Sequence, residues 1–174
     1  MIRMVKFAVV LCIAIFTQNS IAQTRSAASL QMAVDHIEVG LEHNLVGKRV
    51  VGHLFAGIAN QNLPGVFRDY TFRIGAAYAA YSESQNQIFV NGGLGVYFFK
   101  NEQNVIAMPM SDIGVRYSHT LKRFPKHGGL VQISYRCGRA RYKQQFSSDV
   151  LDIFTMSDFR VTPLHIAIGY LFKF

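Results

Sequence analysis

The chain lacks the residues on which most cofactor and metal sites are built. It has two cysteines and no tryptophan among 174 residues, and neither a CxxC pair nor a Cys/His zinc spacing occurs. The glycine-rich run from Gly92 to Gly95 is not followed by the Gly-Lys-Ser/Thr of a phosphate-binding loop. These absences exclude zinc fingers and P-loop enzymes, and the sequence predicts no cofactor and no metal site.

Long hydrophobic segments are also missing, apart from one near the N-terminus. Residues 7–16 are almost wholly apolar and are preceded by two basic residues, and small residues follow at Ser20 to Ala22. This order predicts a secretory signal peptide over residues 1–22. The apolar run is too short to span a bilayer well and no second one exists, which excludes a helical membrane protein. Residues 23–174 then have the length of one domain.

Cleavage of that segment would leave Cys137 as the one remaining cysteine, because Cys12 lies within residues 1–22. A single cysteine cannot form an internal disulfide. The formal net charge would fall from +8, by the two basic residues of the segment, to +6. In an exported protein this basic balance favours anionic lipid headgroups as partners and does not indicate nucleic acid. A general excess of Lys and Arg in loops explains it equally well.

A strict alternation at the end of the chain is the strongest positive signal. Large apolar residues occupy every second position, at Ile166, Ile168, Tyr170, Phe172 and Phe174. The opposite face carries His165, Ala167, Gly169 and Lys173. A period of two indicates a strand, and so many large apolar residues in register favour lipid outside that strand. An ordinary core strand is the alternative.

Similar alternation recurs along the chain. Strands are predicted near residues 33–45, 49–60, 69–82, 86–100, 109–121, 129–143 and 160–174. Most exceed the usual globular length and match the length that crosses a bilayer at a tilt. Because single-chain barrels have an even strand number, the middle of 144–159 is taken as the eighth strand. A loop or short helix there, with an extra strand near Ser29, is the alternative. The predicted fold is all-β, an antiparallel up-and-down transmembrane β-barrel.

The face opposite the apolar one carries charges of both signs and few lysines. Its charged residues are Glu38, Glu42, Arg73, Asp112, Arg116 and Arg136. A solvated surface would favour Lys and Glu, so this composition indicates an enclosed interior, which an eight-stranded barrel fills with side chains. These charged residues are predicted to pair in salt bridges that hold the wall together, because an unpaired buried charge is costly. A narrow polar pathway or catalysis by this cluster are the alternatives.

The signal peptide, the alternation and the final aromatic residue resemble those of small bacterial outer-membrane β-barrels of the OmpX and OmpA-transmembrane class. This resemblance implies an integral protein of the Gram-negative outer membrane with a structural or interaction role. It implies outer-membrane lipids and lipopolysaccharide as partners. It also implies that the outer-membrane assembly machinery reads Tyr170, Phe172 and Phe174 as a C-terminal signal.

Two other functions are weighed against this one. Lipid A deacylases are small outer-membrane barrels with a His-x-Ser pair on the lipid-facing wall, where histidine and serine must share one strand face. His119 lies on the apolar face, but Leu121 stands where the serine is needed and Thr120 faces the other way. Because this serine is missing, the sequence does not favour a lipid A deacylase or another enzyme. A soluble periplasmic barrel that binds an apolar ligand would have the two faces exchanged.

Three histidines are also expected to point inward, namely His36, His53 and His165. They lie on three different strands, and no ligand spacing links them. Hydrogen-bonded structural imidazoles are therefore predicted.

Overall fold

The computed structural model describes residues 26–46, 49–60, 68–100, 105–147, 152–161 and 163–174. These residues form strands paired in antiparallel fashion. The strands are β1 (Ser26–Ala33), β2 (His36–Val46), β3 (Val50–Ala59), β4 (Asp69–Glu83), β5 (Asn86–Lys100), β6 (Val105–Thr120), β7 (His127–Ser147), β8 (Asp152–Arg160) and β9 (Leu164–Lys173). In this part of the chain no helix is long and apolar enough to cross a membrane. The predicted signal peptide lies outside the described residues.

Eight of the strands close into a barrel. Neighbouring strands pair in chain order from β1 to β7, and β9 lies between β7 and β1. Ile168 of β9 pairs with Val131 of β7 on one side and with Met32 of β1 on the other. The ring has no free edge in the barrel wall, which removes the unpaired backbone groups that an open sheet would expose. The predicted eight-stranded antiparallel barrel is confirmed.

The strand that completes the eight differs from the predicted one. Residues 26–33 form β1, so the alternative of an extra strand near Ser29 is the correct one, and the next strand begins at His36. Residues 152–160 do form a strand, β8, but it pairs with the end of β7 beyond the wall, so taking the middle of 144–159 as the eighth wall strand was wrong. Small and polar side chains weaken the alternation of β1, and its buried members include Ser29 and Gln31.

Residues 139–147 and 152–160 pair as an antiparallel hairpin that continues two barrel strands beyond the wall. Arg139 of β7 pairs with Arg160 of β8, and Tyr135 pairs with Leu164 of β9, in the same register. We call this element, the second half of β7 with β8, the outer hairpin. It rises from the end of the barrel opposite to the end where β1 begins.

Two prolines lie where the outer hairpin leaves the wall. The β6–β7 ladder ends at the Met110–Gly138 pair, next to Pro109. Pro163 lies between β8 and β9. Proline has no N–H to donate to a ladder, so sheets admit it only at edges and interruptions. The amide of Arg136 still donates to the Pro163 carbonyl at 2.7 Å, which keeps the two arms of the hairpin together.

Apolar side chains cover the outside of the barrel wall. On β9, Ile166 and Ile168 are 51% and 64% exposed, whereas Ala167 between them is 1% exposed. The other exposed apolar residues of the wall include Leu30, Val39, Phe72, Ile74, Leu94, Ile113, Val115, Val131 and Ile133, with Tyr70 and Tyr135 towards one end and Tyr78, Tyr117 and Tyr170 towards the other. An apolar band with aromatic residues at both rims is the pattern of a lipid-facing wall.

Candidate functional site

All six charged residues predicted to face inward lie inside the barrel and are at most 7% exposed. Arg73 is central, because its Nε donates to Oε1 of Glu38 at 3.1 Å and its Nη1 donates to Oδ2 of Asp112 at 2.8 Å. The third guanidinium nitrogen of Arg73, Nη2, donates to Oε2 of Glu38. Nη2 of Arg136 lies 3.6 Å from Oε2 of Glu38, and the Thr71 hydroxyl donates to Oε1 of Glu38 at 3.2 Å. These five residues, from β2, β4, β6 and β7, form the central charge network.

Glu42 and Arg116 form a separate pair closer to the end where β1 begins. Both terminal nitrogens of the guanidinium donate to the carboxylate, Nη2 to Oε2 at 3.0 Å. The Arg116 guanidinium carbon lies 4.7 Å from the centre of the Phe89 ring, and that of Arg73 lies 4.8 Å from the centre of the Phe55 ring. Aromatic faces attract cations. These inward phenylalanines therefore cover the buried guanidinium groups.

Inward glycines leave room for the central charge network. A Cβ atom at Gly57 would lie 2.6 Å from Cγ of Glu38, and one at Gly95 would lie 2.7 Å from Cγ of Arg73. Real Cβ contacts are not that short. A larger residue at either position would push a charged partner out of place.

Aromatic and methionine side chains fill the interior at the end that carries the outer hairpin. Tyr97, Phe99, Met108 and Met110 are each at most 6% exposed. From the hairpin, the Phe159 ring stacks on Phe99 with ring centres 4.3 Å apart, and the Tyr142 ring meets Phe99 edge-on at 5.5 Å. The inner face of the hairpin is thus packed onto this end of the interior. We call the group of these six residues the outer cluster.

Solved structures share this architecture. A major outer membrane protein from Thermus thermophilus matches with a TM-score of 0.56 at 11% identity, over 88% of this chain and 100% of that one. The N-terminal β-barrel domain of Pseudomonas aeruginosa OprF matches with a TM-score of 0.53 at 13% identity, over 87% of this chain and 96% of that one. The fold is that of a small outer-membrane β-barrel. No family model and no curated protein matches the chain. The similarity to these solved structures therefore shows the architecture of the chain and not its activity.

This outer-membrane-type barrel does not build a deacylase pair at His119. The Nδ1 atom of His119 lies 2.9 Å from Oδ1 of Asn86. Leu121, two residues further on, is 45% exposed and supplies no nucleophile. The polar, charged interior likewise does not favour the alternative of a soluble barrel with an apolar ligand cavity.

The structure brings together two of the three inward histidines. The rings of His36 and His165 stack with centres 4.3 Å apart, and their Nε2 atoms are 2.7 Å apart. His53 lies elsewhere and packs against Phe55. Nδ1 of His36 is 2.6 Å from Oδ1 of Asp35, and Nδ1 of His165 is 3.0 Å from the Ser134 hydroxyl. Sequence spacing did not reveal this group, because β2 and β9 are far apart in the sequence and come together only as the two neighbours of β1 in the closed ring.

The outer face of the outer hairpin carries a cluster of arginines. Arg139 and Arg160 are cross-strand neighbours, and Arg141 is paired with Asp158. The Nε atom of Arg139 donates to Oδ1 of Asp158 at 2.8 Å, and this hydrogen bonding lowers the pKa of the Asp158 carboxyl. Three cations therefore surround one carboxylate, and the cluster carries an excess of positive charge. We call these four residues the arginine patch.

Proposed function

We propose that the protein is an integral outer-membrane β-barrel with a structural or interaction role, and that it neither conducts solutes nor catalyses a reaction. The observation that carries this proposal is the interior, which is crossed by the central charge network and covered at one end by the outer cluster. An eight-stranded barrel leaves room for side chains but not for an aqueous channel. The apolar outer wall supports insertion in a bilayer.

The connections between strands support one orientation in that membrane. At the end where β1 begins, Ser84 and Gln85 alone separate β4 from β5. At the other end, residues 60–68 separate β3 from β4, and the outer hairpin extends beyond the wall. Outer-membrane barrels have short periplasmic turns and longer extracellular loops. The outer hairpin is therefore assigned to the cell exterior.

A conductance measurement tests the proposed function. Protein lacking residues 1–22, reconstituted in a planar bilayer, is expected to give no stable current steps, because paired charges and packed rings block the interior. A 16-stranded porin in the same bilayer provides the positive control. Reproducible unitary steps from the wild-type protein, altered in the variant Glu42→Gln, would show a conducting interior and contradict the proposal.

Lipopolysaccharide is the partner that we propose for the arginine patch. On the outer face of β7, the apolar series Val131, Ile133 and Tyr135 is followed by Cys137 and then by Arg139 and Arg141. The patch thus begins where the lipid-facing band ends, at the level of headgroup phosphates. Planar guanidinium groups bind phosphate oxygens in bidentate fashion.

Changing Arg139, Arg141 and Arg160 together to Gln is expected to weaken lipopolysaccharide binding roughly tenfold or more at low salt, because each basic residue near an anionic surface contributes separately. The measurement is a titration with fluorescent lipopolysaccharide in detergent micelles, repeated at high salt.

Asp158→Asn should strengthen binding, since it removes the carboxylate within the patch. Changing Lys122, Arg123 and Lys126 at the opposite end provides a control of equal charge. An equal loss in both triple variants would assign the binding to net charge and not to the patch.

The outer-membrane assembly machinery is the second proposed partner. Tyr170, Phe172 and Phe174 lie on the outer face of the last strand and the residue after it, and they are 47%, 37% and 60% exposed. This exposure supports recognition of the three rings before the barrel closes against β1.

A further inference from the structure

The histidine pair, His36 and His165, has the arrangement of two metal ligands. Both side chains are buried, at 1% and 3% exposure. Each Nδ1 atom has an oxygen partner, Asp35 for His36 and Ser134 for His165. Metal-bound histidines commonly donate the N–H of their second ring nitrogen to such an oxygen, which fixes the ring and leaves the other nitrogen free to ligate. Here both remaining Nε2 atoms meet at 2.7 Å.

The contact between the two Nε2 atoms needs either a proton or a cation between them. If both Nδ1 atoms carry the proton that they donate, two lone pairs face each other. A cation that ligates both nitrogens removes this repulsion. Two nitrogens at about 2.1 Å from one zinc ion and at its tetrahedral angle are roughly 3.4 Å apart, so the two rings must separate somewhat from their 2.7 Å contact to admit the ion.

The charges around the histidine pair also favour one further cation. Asp35, Glu38 and Asp112 contribute three carboxylates, whereas Arg73 and Arg136 contribute two guanidinium groups. Oε2 of Glu38 lies 3.6 Å from Nε2 of His36 and is the nearest carboxylate oxygen on that side. The Asp35 side chain is 30% exposed at the end of the barrel that carries the outer hairpin, which provides access from solvent.

We propose that His36 and His165 hold a divalent transition-metal ion of the zinc class inside the barrel, with Glu38 as the third ligand. Two imidazoles and one carboxylate are donors that suit Zn²⁺, Ni²⁺ and Fe²⁺ and are poor for Mg²⁺ or Ca²⁺. Asp35 and Ser134 orient the two rings. The ion would tie β2 to β9, the two neighbours of β1, and so add to the stability of the closed barrel.

Arg136 sets the strength of this site. Its Nη2 atom lies 3.1 Å from Nε2 of His36. A bound cation displaces that hydrogen bond and lies close to the guanidinium charge, so the arginine opposes binding. Removing its charge in the variant Arg136→Gln is therefore expected to tighten metal binding by about tenfold or more, in contrast to the loss expected at the ligands.

The test is calorimetric titration of ZnCl₂ into the untagged, detergent-folded protein, with thermal unfolding followed by circular dichroism in parallel. The wild-type protein is expected to bind one Zn²⁺ saturably and to unfold at a higher temperature when loaded. His165→Gln should weaken binding at least roughly tenfold, and Ser134→Ala should weaken it to a smaller extent. His53→Gln, which changes the inward histidine outside the group, should bind like the wild type.

Two results would overturn the proposal. One is the absence of saturable Zn²⁺ binding to the folded wild-type protein, which would leave a proton shared between the two imidazoles as the bridge. The other is equal binding by His165→Gln and His53→Gln, which would mean adventitious surface binding only. Because Arg136→Gln is expected to gain affinity, a folding defect cannot imitate the full pattern. Neither result depends on the membrane location proposed above.

Discussion

The variant Arg73→Ala is expected to lose about 3–5 kcal/mol of folding free energy, because it removes one partner from a buried ion-pair network. The side chain is 1% exposed and neutralises Glu38 and Asp112 together. Without it, the nearest guanidinium nitrogen to Glu38 is that of Arg136, at 3.6 Å. A loss of this size is a large part of the stability of an ordinary domain. Urea unfolding in detergent micelles, followed by circular dichroism because the chain has no tryptophan, measures it.

Two further variants separate the loss of pairing from the loss of side-chain volume. Glu38→Gln, Arg73→Met, Asp112→Asn and Arg136→Met combined remove all four charges of the central charge network and are expected to recover much of the stability, since a neutral interior of similar volume leaves none of these charges unpaired. Arg139→Ala, on the exposed face of the outer hairpin, removes an arginine of the same ion-paired kind and should leave unfolding nearly unchanged. If Arg73→Ala unfolds like Arg139→Ala, the interior charges are solvated and the closed-interior proposal fails.

The alternation of side chains predicted the strands of the barrel, and the composition of the polar face, with charges of both signs and few lysines, was needed to predict that this face points inward. Ile168 and Gly169 differ so strongly in size and polarity that their strand has one plausible lipid face. The same signal was too weak in β1, because Ser29 and Gln31 face inward between modest apolar residues such as Leu30. A wall strand is therefore hardest to recognise where its inner face is small and polar.

The partners within the interior could not be predicted from sequence. Glu38 and Arg73 were both predicted to face inward, but their pairing depends on the register of β2 and β4 on either side of β3. His36 and His165 are 129 residues apart and meet because β2 and β9 lie on either side of β1. Phe55 and Phe89 depart from the simple alternation because they lie on the inner face, where each ring contacts a buried guanidinium group.

The second large effect is expected for Ile168→Arg in the middle of β9. The residue is 64% exposed on the outer wall and pairs with Met32 and Val131, both on the same apolar face. In a bilayer an arginine near the midplane of a barrel wall costs about 2–4 kcal/mol. Refolding into phospholipid vesicles, scored by the shift in gel mobility on heating and by urea titration, should show this loss.

An equally exposed residue beyond the apolar band provides the matched control. Met156 of β8 is 72% exposed on the outer hairpin, where we propose that water surrounds the chain. Met156→Arg should leave the stability within about 0.5 kcal/mol of the wild type, as surface changes in water usually do. The two positions have similar exposure and receive the same side chain, so a difference in stability between the two variants shows whether lipid or water surrounds each position. If Ile168→Arg lowers the stability no more than Met156→Arg does, the wall faces water. The proposed membrane location is then wrong, although the barrel fold is unaffected.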